Sequence, residues 1–163
     1  MESCEYYEDF GDNISTKLYM RLKLSKPLAI KSSLSTGFRA PSLPQTYFNS
    51  LSNQFISTGN GQESIRVAHY NNESIVTRNF GVNTLGPETS SNLNVGMAYN
   101  PNTNLSLVVN AYNILIKNRI IISGRFNAAT AQKFADILDP IGISQSQFFT
   151  NAIDTKTYGL EVI

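Results

Sequence analysis

The chain is poor in the residues that most enzymes, metal proteins and nucleic-acid binders depend on. It has one cysteine, Cys4, one histidine, His69, and no tryptophan among 163 residues. A lone cysteine excludes an internal disulfide and a thiolate metal cluster, and leaves the redox compartment undecided. With no second histidine or nearby cysteine, His69 in "RVAHYNN" reads as a loop residue rather than a metal ligand. Charged residues make up 15%, well below the usual quarter, and the net charge is +1. The 13 basic residues form no run or stripe, which argues against a nucleic-acid partner. No apolar run approaches the 18 residues or so of a membrane-spanning helix. The start, "MESCEYYEDF", lacks both the basic and the apolar region of a signal peptide.

None of these absences excludes a membrane β-strand, which needs only about 9–11 residues with alternate ones apolar. Alternation is what the sequence has. In "TKLYMRLKLS", Leu18, Met20, Leu22 and Leu24 share one face, and Lys17, Tyr19, Arg21 and Lys23 the other. After the turn at "SKP", "LAIKSSLSTGF" puts Leu28, Ile30, Leu34 and Phe38 opposite Lys31, Ser33, Ser35 and Gly37. "SSNLNVGMAYN" separates Leu93, Val95, Met97 and Tyr99 from Asn92, Asn94, Gly96 and Ala98. After a second tight turn at Asn100–Thr103, the long stretch "NLSLVVNAYNILIKNRIIIS" changes its apolar phase near Ala111. A bulge there, or a strand passing from one environment to another, would account for the slip. "CEYYEDF" and "QFFTNAIDTKTYGLEVI" supply the flanking strands, with "GDNIS" as a short link after the first. One short helix is expected at "NAATAQKFADILD", capped by Asn127 and stopped by Pro140. "GNGQES" reads as a turn, since it lacks the lysine of a phosphate loop, and the sequons at Asn13, Asn72 and Asn104 as chance matches.

The connections sort by length. The tight turns fall on one side of an antiparallel meander, and the excursions at 39–88 and about 124–144 on the other. Short turns on one rim and long loops on the opposite rim are the layout of an outer-membrane barrel. Aliphatic positions facing polar ones fit lipid on one side and a wet lumen on the other. A soluble β-sandwich remains an alternative on pattern alone.

Four stretches resemble, in order, the barrel of TonB-dependent outer-membrane receptors. They are "STGFRAPSLPQ", "LGPETSSNLNVGMAYN" with Pro87, Glu88, Thr89, Ser90 and Asn92, "NAYNILIKNRIIISG", and "FFTNAIDTKTYGLEVI". The resemblance implies an all-β fold: an antiparallel meander of about six strands forming a partial arc of a transmembrane barrel of about 22 strands, with one short helix in an extracellular loop. It implies residues 1–163 as a fragment of the barrel domain, with plug domain and signal peptide absent. It also implies outer-membrane lipid as surroundings, a TonB-type energising protein as partner through the missing N-terminal part, and a small chelate or vitamin as substrate. No cofactor, catalytic residue or nucleic acid is expected. The function implied is energy-coupled uptake of a ferric siderophore or cobalamin, with a passive porin-type barrel as the alternative. Ligand contacts are expected from the long excursion, at Arg39, Tyr47, Phe48, Arg66, His69 and Tyr70, because aromatics and arginines suit a planar or anionic chelate.

Overall fold

The computed structural model describes residues 2–7, 11–59 and 61–163. In chain order it contains β1 (Glu2–Tyr7), β2 (Gly11–Lys23), β3 (Leu28–Arg39) and a short helix α1 (Leu43–Tyr47). A hairpin follows, β4 (Ser50–Thr58) and β5 (Gly61–His69), then α2 (Ile75–Asn79). The long strands β6 (Glu88–Asn102) and β7 (Leu105–Ile122) come next. The remainder holds β8 (Phe126–Asn127), α3 (Gln132–Leu138), β9 (Gln145–Gln147) and β10 (Phe149–Val162). The chain divides into two compact units: Met1–Ala40, Pro87–Arg119 and Ile153–Ile163 in one, Pro41–Gly86 and Ile120–Ala152 in the other.

The first unit carries the six-stranded sheet β1-β2-β3-β6-β7-β10, in the order of the expected meander. Its described ladders are antiparallel: Lys17 pairs with Ser35, Leu34 with Leu93, and Met97 with Val109. Register fixes which side chains share a face. Leu18, Leu34 and Leu93 form one row across three strands, and Leu22, Ile30 and Met97 another. These aliphatics are uncovered: Leu18 is 66% exposed and Leu93 44%. Leaving one such side chain in water forgoes about 1.5–3 kcal/mol. A face this continuous is not the buried interior of a sandwich. The opposite face carries Lys17, Arg21, Lys31, Ser33, Asn92 and Asn94. The sheet does not close on itself; β1 and β10 are its ends.

Two details refine the sequence reading. "GDNIS" is no link, since Gly11–Ser15 belongs to β2 and pairs with β1. The slip near Ala111 is not a bulge against β6, because that register runs unbroken from Thr89↔Lys117 to Tyr99↔Leu107. The composition changes while the pleat does not: Tyr112 and Ile114 lie opposite Asn94 and Asn92 on the polar face, and Thr89, Ser91, Asn113 and Lys117 make the outer face polar toward that end. This is the other alternative, a strand leaving its apolar surroundings. The β6–β7 register shifts only near the tight turn, between Tyr99 and Asn102, and toward the other end Asn118 has a φ of 54°, which asparagine tolerates, with its N–H donating to Asp154 Oδ1 at 2.9 Å.

Glycine on the polar face makes room for a neighbour. A Cβ on Gly159 would stand 2.5 Å from Tyr112 Oη, so the phenol lies across the glycine of the next strand.

The second unit replaces the expected polar loops with folded structure. Its four-stranded sheet runs β4-β5-β9-β8, with β5 and β9 parallel. Ala68 of β5 packs with Leu138 and Ile143, and the rings of Phe80, Phe126, Phe134 and Phe148 meet at 5.1–5.6 Å. The single expected helix at 127–139 is three pieces. Asn127 does cap, accepting from the Ala129 N–H, but onto a 3-10 turn at Ala128–Thr130. Ala131 is extended (φ −154°), α3 starts after it, and Pro140 sits inside a second 3-10 turn that ends at Gly142 with φ 68°. The apolar spacing was that of α3 alone.

Candidate functional site

The end of β3 is closed by an ion pair. Arg39 and Glu88 are the last register partners of β3 and β6. Arg39 Nε donates to Glu88 Oε2 at 3.0 Å and Nη2 to Oε1 at 2.5 Å, a two-point grip suited to the guanidinium fork. Beyond Arg39, the strand stops and Ser42 opens α1, its N–H donating to Gln45 Oε1 at 3.0 Å. Pro44 lies in the first turn of that helix, where a missing N–H does no harm.

Within the second unit, α1 and the end of β5 build an aromatic enclosure. His69 is 5% exposed, with the Phe48 ring at 5.2 Å and the Phe149 ring at 5.0 Å. Burial lowers its pKa, so the imidazole is neutral around pH 7. Among the described residues its Nε2 has no hydrogen-bond partner, as is also true of Asn71 Oδ1. Burial raises the pKa of the neighbouring Tyr70, which keeps its phenol neutral as well.

Asn72, 1% exposed, ties this region together. Its Nδ2 donates to Phe149 O at 3.0 Å, its Oδ1 accepts from the Leu85 N–H at 2.8 Å, and its own N–H donates to Thr46 O at 3.3 Å. Thr77 Oγ1 adds a bond to Asn71 O at 2.8 Å. A cavity of about 670 Å³ opens here, lined by Asn49, Leu51, His69, Tyr70, Asn71 and Glu73 among others. None of the residues lining it is lysine or arginine, and Glu73 brings the one formal charge. The enclosure offers ring faces and hydrogen-bonding groups.

The six expected ligand residues do not converge. Phe48, His69 and Tyr70 come together at the enclosure, and Tyr47 is half exposed at the end of α1. Arg66 lies elsewhere, exposed on β5 with Gly142 beside its guanidinium. Arg39 belongs to the other unit, engaged with Glu88. Sequence reasoning passed over Asn71, Asn72 and Phe149. Asn72 stood out there only as a sequon, which its burial makes unusable for a glycan. Among the described residues, no three of His, Cys, Asp and Glu converge on a metal-sized site.

The family model described as TonB dependent receptor-like, beta-barrel, matches residues 4–162. The chain belongs to that family. This receptor segment is therefore part of a protein of the bacterial outer membrane. It superposes on the siderophore receptor PirA from Pseudomonas aeruginosa with a TM-score of 0.66 at 20% identity, over 98% of this chain and 26% of that one. For PirA from Acinetobacter baumannii the TM-score is 0.58 at 18% identity, over 95% and 21%. A variant of the ferric enterobactin receptor PfeA from Pseudomonas aeruginosa, in complex with enterobactin, gives 0.64 at 19%, over 98% and 20%. The segment thus spans about a quarter or less of the receptors it resembles. No curated protein matches it.

Proposed function

We propose that the segment forms part of the wall and one folded outer loop region of a receptor that takes up ferric siderophores across the outer membrane, driven by a TonB-type energising protein. The observation that carries the reading is the six-stranded meander with one uncovered aliphatic face and one polar face, in a chain of this family. No bond of the substrate is made or broken; binding and passage are the whole task. The enclosure at Phe48, His69 and Tyr70 is the ligand-gathering surface contributed by this segment.

The test is a chimera in which residues 1–163 replace the matching quarter of Pseudomonas aeruginosa PirA. It is produced in cells lacking their own siderophore receptors and supplied with radiolabelled ferric chelates. Uptake that stops when the proton gradient is collapsed supports the reading. Gradient-independent passage, or no uptake by a chimera that reaches the membrane folded, refutes it.

A further inference from the structure

On the polar face of the sheet, near its tight-turn end, four cations share one hollow. Arg21 on β2 stands directly opposite Lys31 on β3, and Lys23 is the next residue of β2 on the same face. Like charges in register repel. Lys26 joins them from the turn, which is held by bonds among Leu24, Ser25 and Leu28 and tied to the second tight turn by the Asn100 N–H to Pro27 O at 2.7 Å. The hollow exists because the neighbours in register are small. Ala29 pairs with Ala98, and Lys31 with Gly96. The resulting cavity of about 260 Å³ is lined by Arg21, Lys23, Lys26 and Lys31 together with Ala29 and Ala98, and by no carboxylate among the described residues. None of the four cations has an ion-pair partner among the described residues.

We propose that this hollow is a binding site for a compact, multiply charged oxyanion of phosphate or polycarboxylate type. Arg21 grips two oxygens with its fork, and the three ammonium groups neutralise the rest as point charges. The site lies on the face away from lipid, so its ligand comes from water. Its volume falls just below the roughly 300–1,000 Å³ of cavities that hold drug-sized ligands, so it suits a small anion and not a bulky ferric chelate. The site goes beyond the uptake function and does not depend on which chelate is carried.

The experiment uses the same chimeric receptor, purified in detergent, titrated with inorganic pyrophosphate and separately with citrate by calorimetry at low salt. Pyrophosphate binding alone identifies phosphate-type oxygens, and citrate binding alone carboxylates; either supports the site. R21Q and K31Q each weaken the preferred anion at least tenfold, while K117Q, on the other face, leaves it unchanged. With no anion added, R21Q also raises the melting midpoint, because it removes the opposed charge. Two results overturn the proposal. One is an absence of binding by both anions. The other is an R21Q receptor that melts lower than wild type, which would mean that carboxylates of the receptor itself already fill the hollow.

Discussion

Replacing Asn72 by alanine tests the account of the second unit most directly. The side chain satisfies two backbone groups at once, the Leu85 N–H and the Phe149 carbonyl, at a position 1% exposed. Truncation leaves both groups without a partner, in a place water reaches poorly. Each such orphan costs about 1–3 kcal/mol, so the unit should lose about 2–4 kcal/mol once some water entry is allowed. At 1.4 kcal/mol per tenfold, amides that exchange through opening of this unit should speed up by about 30- to 700-fold. The measurement is native-state hydrogen exchange of the chimeric receptor, read on peptides covering residues 61–86. Peptides from β2 and β3 serve as the internal control, because the bonds of Asn72 run to Thr46, Leu85 and Phe149. Asn104→Ala, at an exposed turn, should change nothing. Acceleration below about threefold in Asn72→Ala, or equal acceleration in β2 and β3, would refute the claim that this one amide holds the region together.

Other outcomes follow from single contacts. Leu93→Arg, in the middle of the Leu18–Leu34–Leu93 row, should cost about 2–4 kcal/mol of stability in the membrane, whereas Asn94→Arg on the polar face should be tolerated; denaturant titration in vesicles separates them. Gly159→Val should drive a side chain into Tyr112 and cost about 1–3 kcal/mol, with Tyr112→Ala restoring the loss in the double variant. Because Arg39 is half exposed, the Arg39–Glu88 pair should contribute no more than about 1 kcal/mol in a double-mutant cycle, and less in high salt. The pKa of His69 is lower in the fold than its ordinary value of about 6.5, so the unfolded unit binds the extra proton. Stability of the second unit should hold above pH 6.5 and fall as pH drops below it toward the folded value, by at most about 1.4 kcal/mol per pH unit. His69→Phe should abolish that dependence in exchange measurements between pH 7.5 and 5.

Strand alternation is written two residues at a time, and it was fully legible. Leu18 to Leu24, Leu93 to Tyr99 and Tyr158 to Val162 announced both the faces and the order of the meander, because a pleated strand exposes every second side chain to the same medium. The short-turn and long-excursion asymmetry was equally plain. What went unread was the hairpin of β4 and β5. A cue was present, since Gly59–Asn60–Gly61 is turn chemistry between two stretches of strand length. Their polar composition hid it, because the unit's core comes from Ala68, Leu138, Ile143 and four phenylalanines dispersed from residue 68 to 148. The slip at Ala111 misled in a related way, since a change in surroundings and a change in register leave the same trace in one strand.

The sequence by itself determined the medium. An apolar phase kept on one face of successive strands, with polar residues on the other, fits a membrane barrel or a sandwich alike, and four family stretches in order chose the barrel. Tertiary structure decided which of the expected ligand residues meet. Phe48 and His69 lie 21 positions apart, and Phe149 a further 80 along, so no local period could reveal that their rings would enclose one imidazole. Nor could it reveal that Arg39 would be spent on Glu88, or that Arg21 and Lys31 would face one another across a ladder. Faces follow from local alternation; convergence follows from register and long-range packing, which only the folded chain fixes.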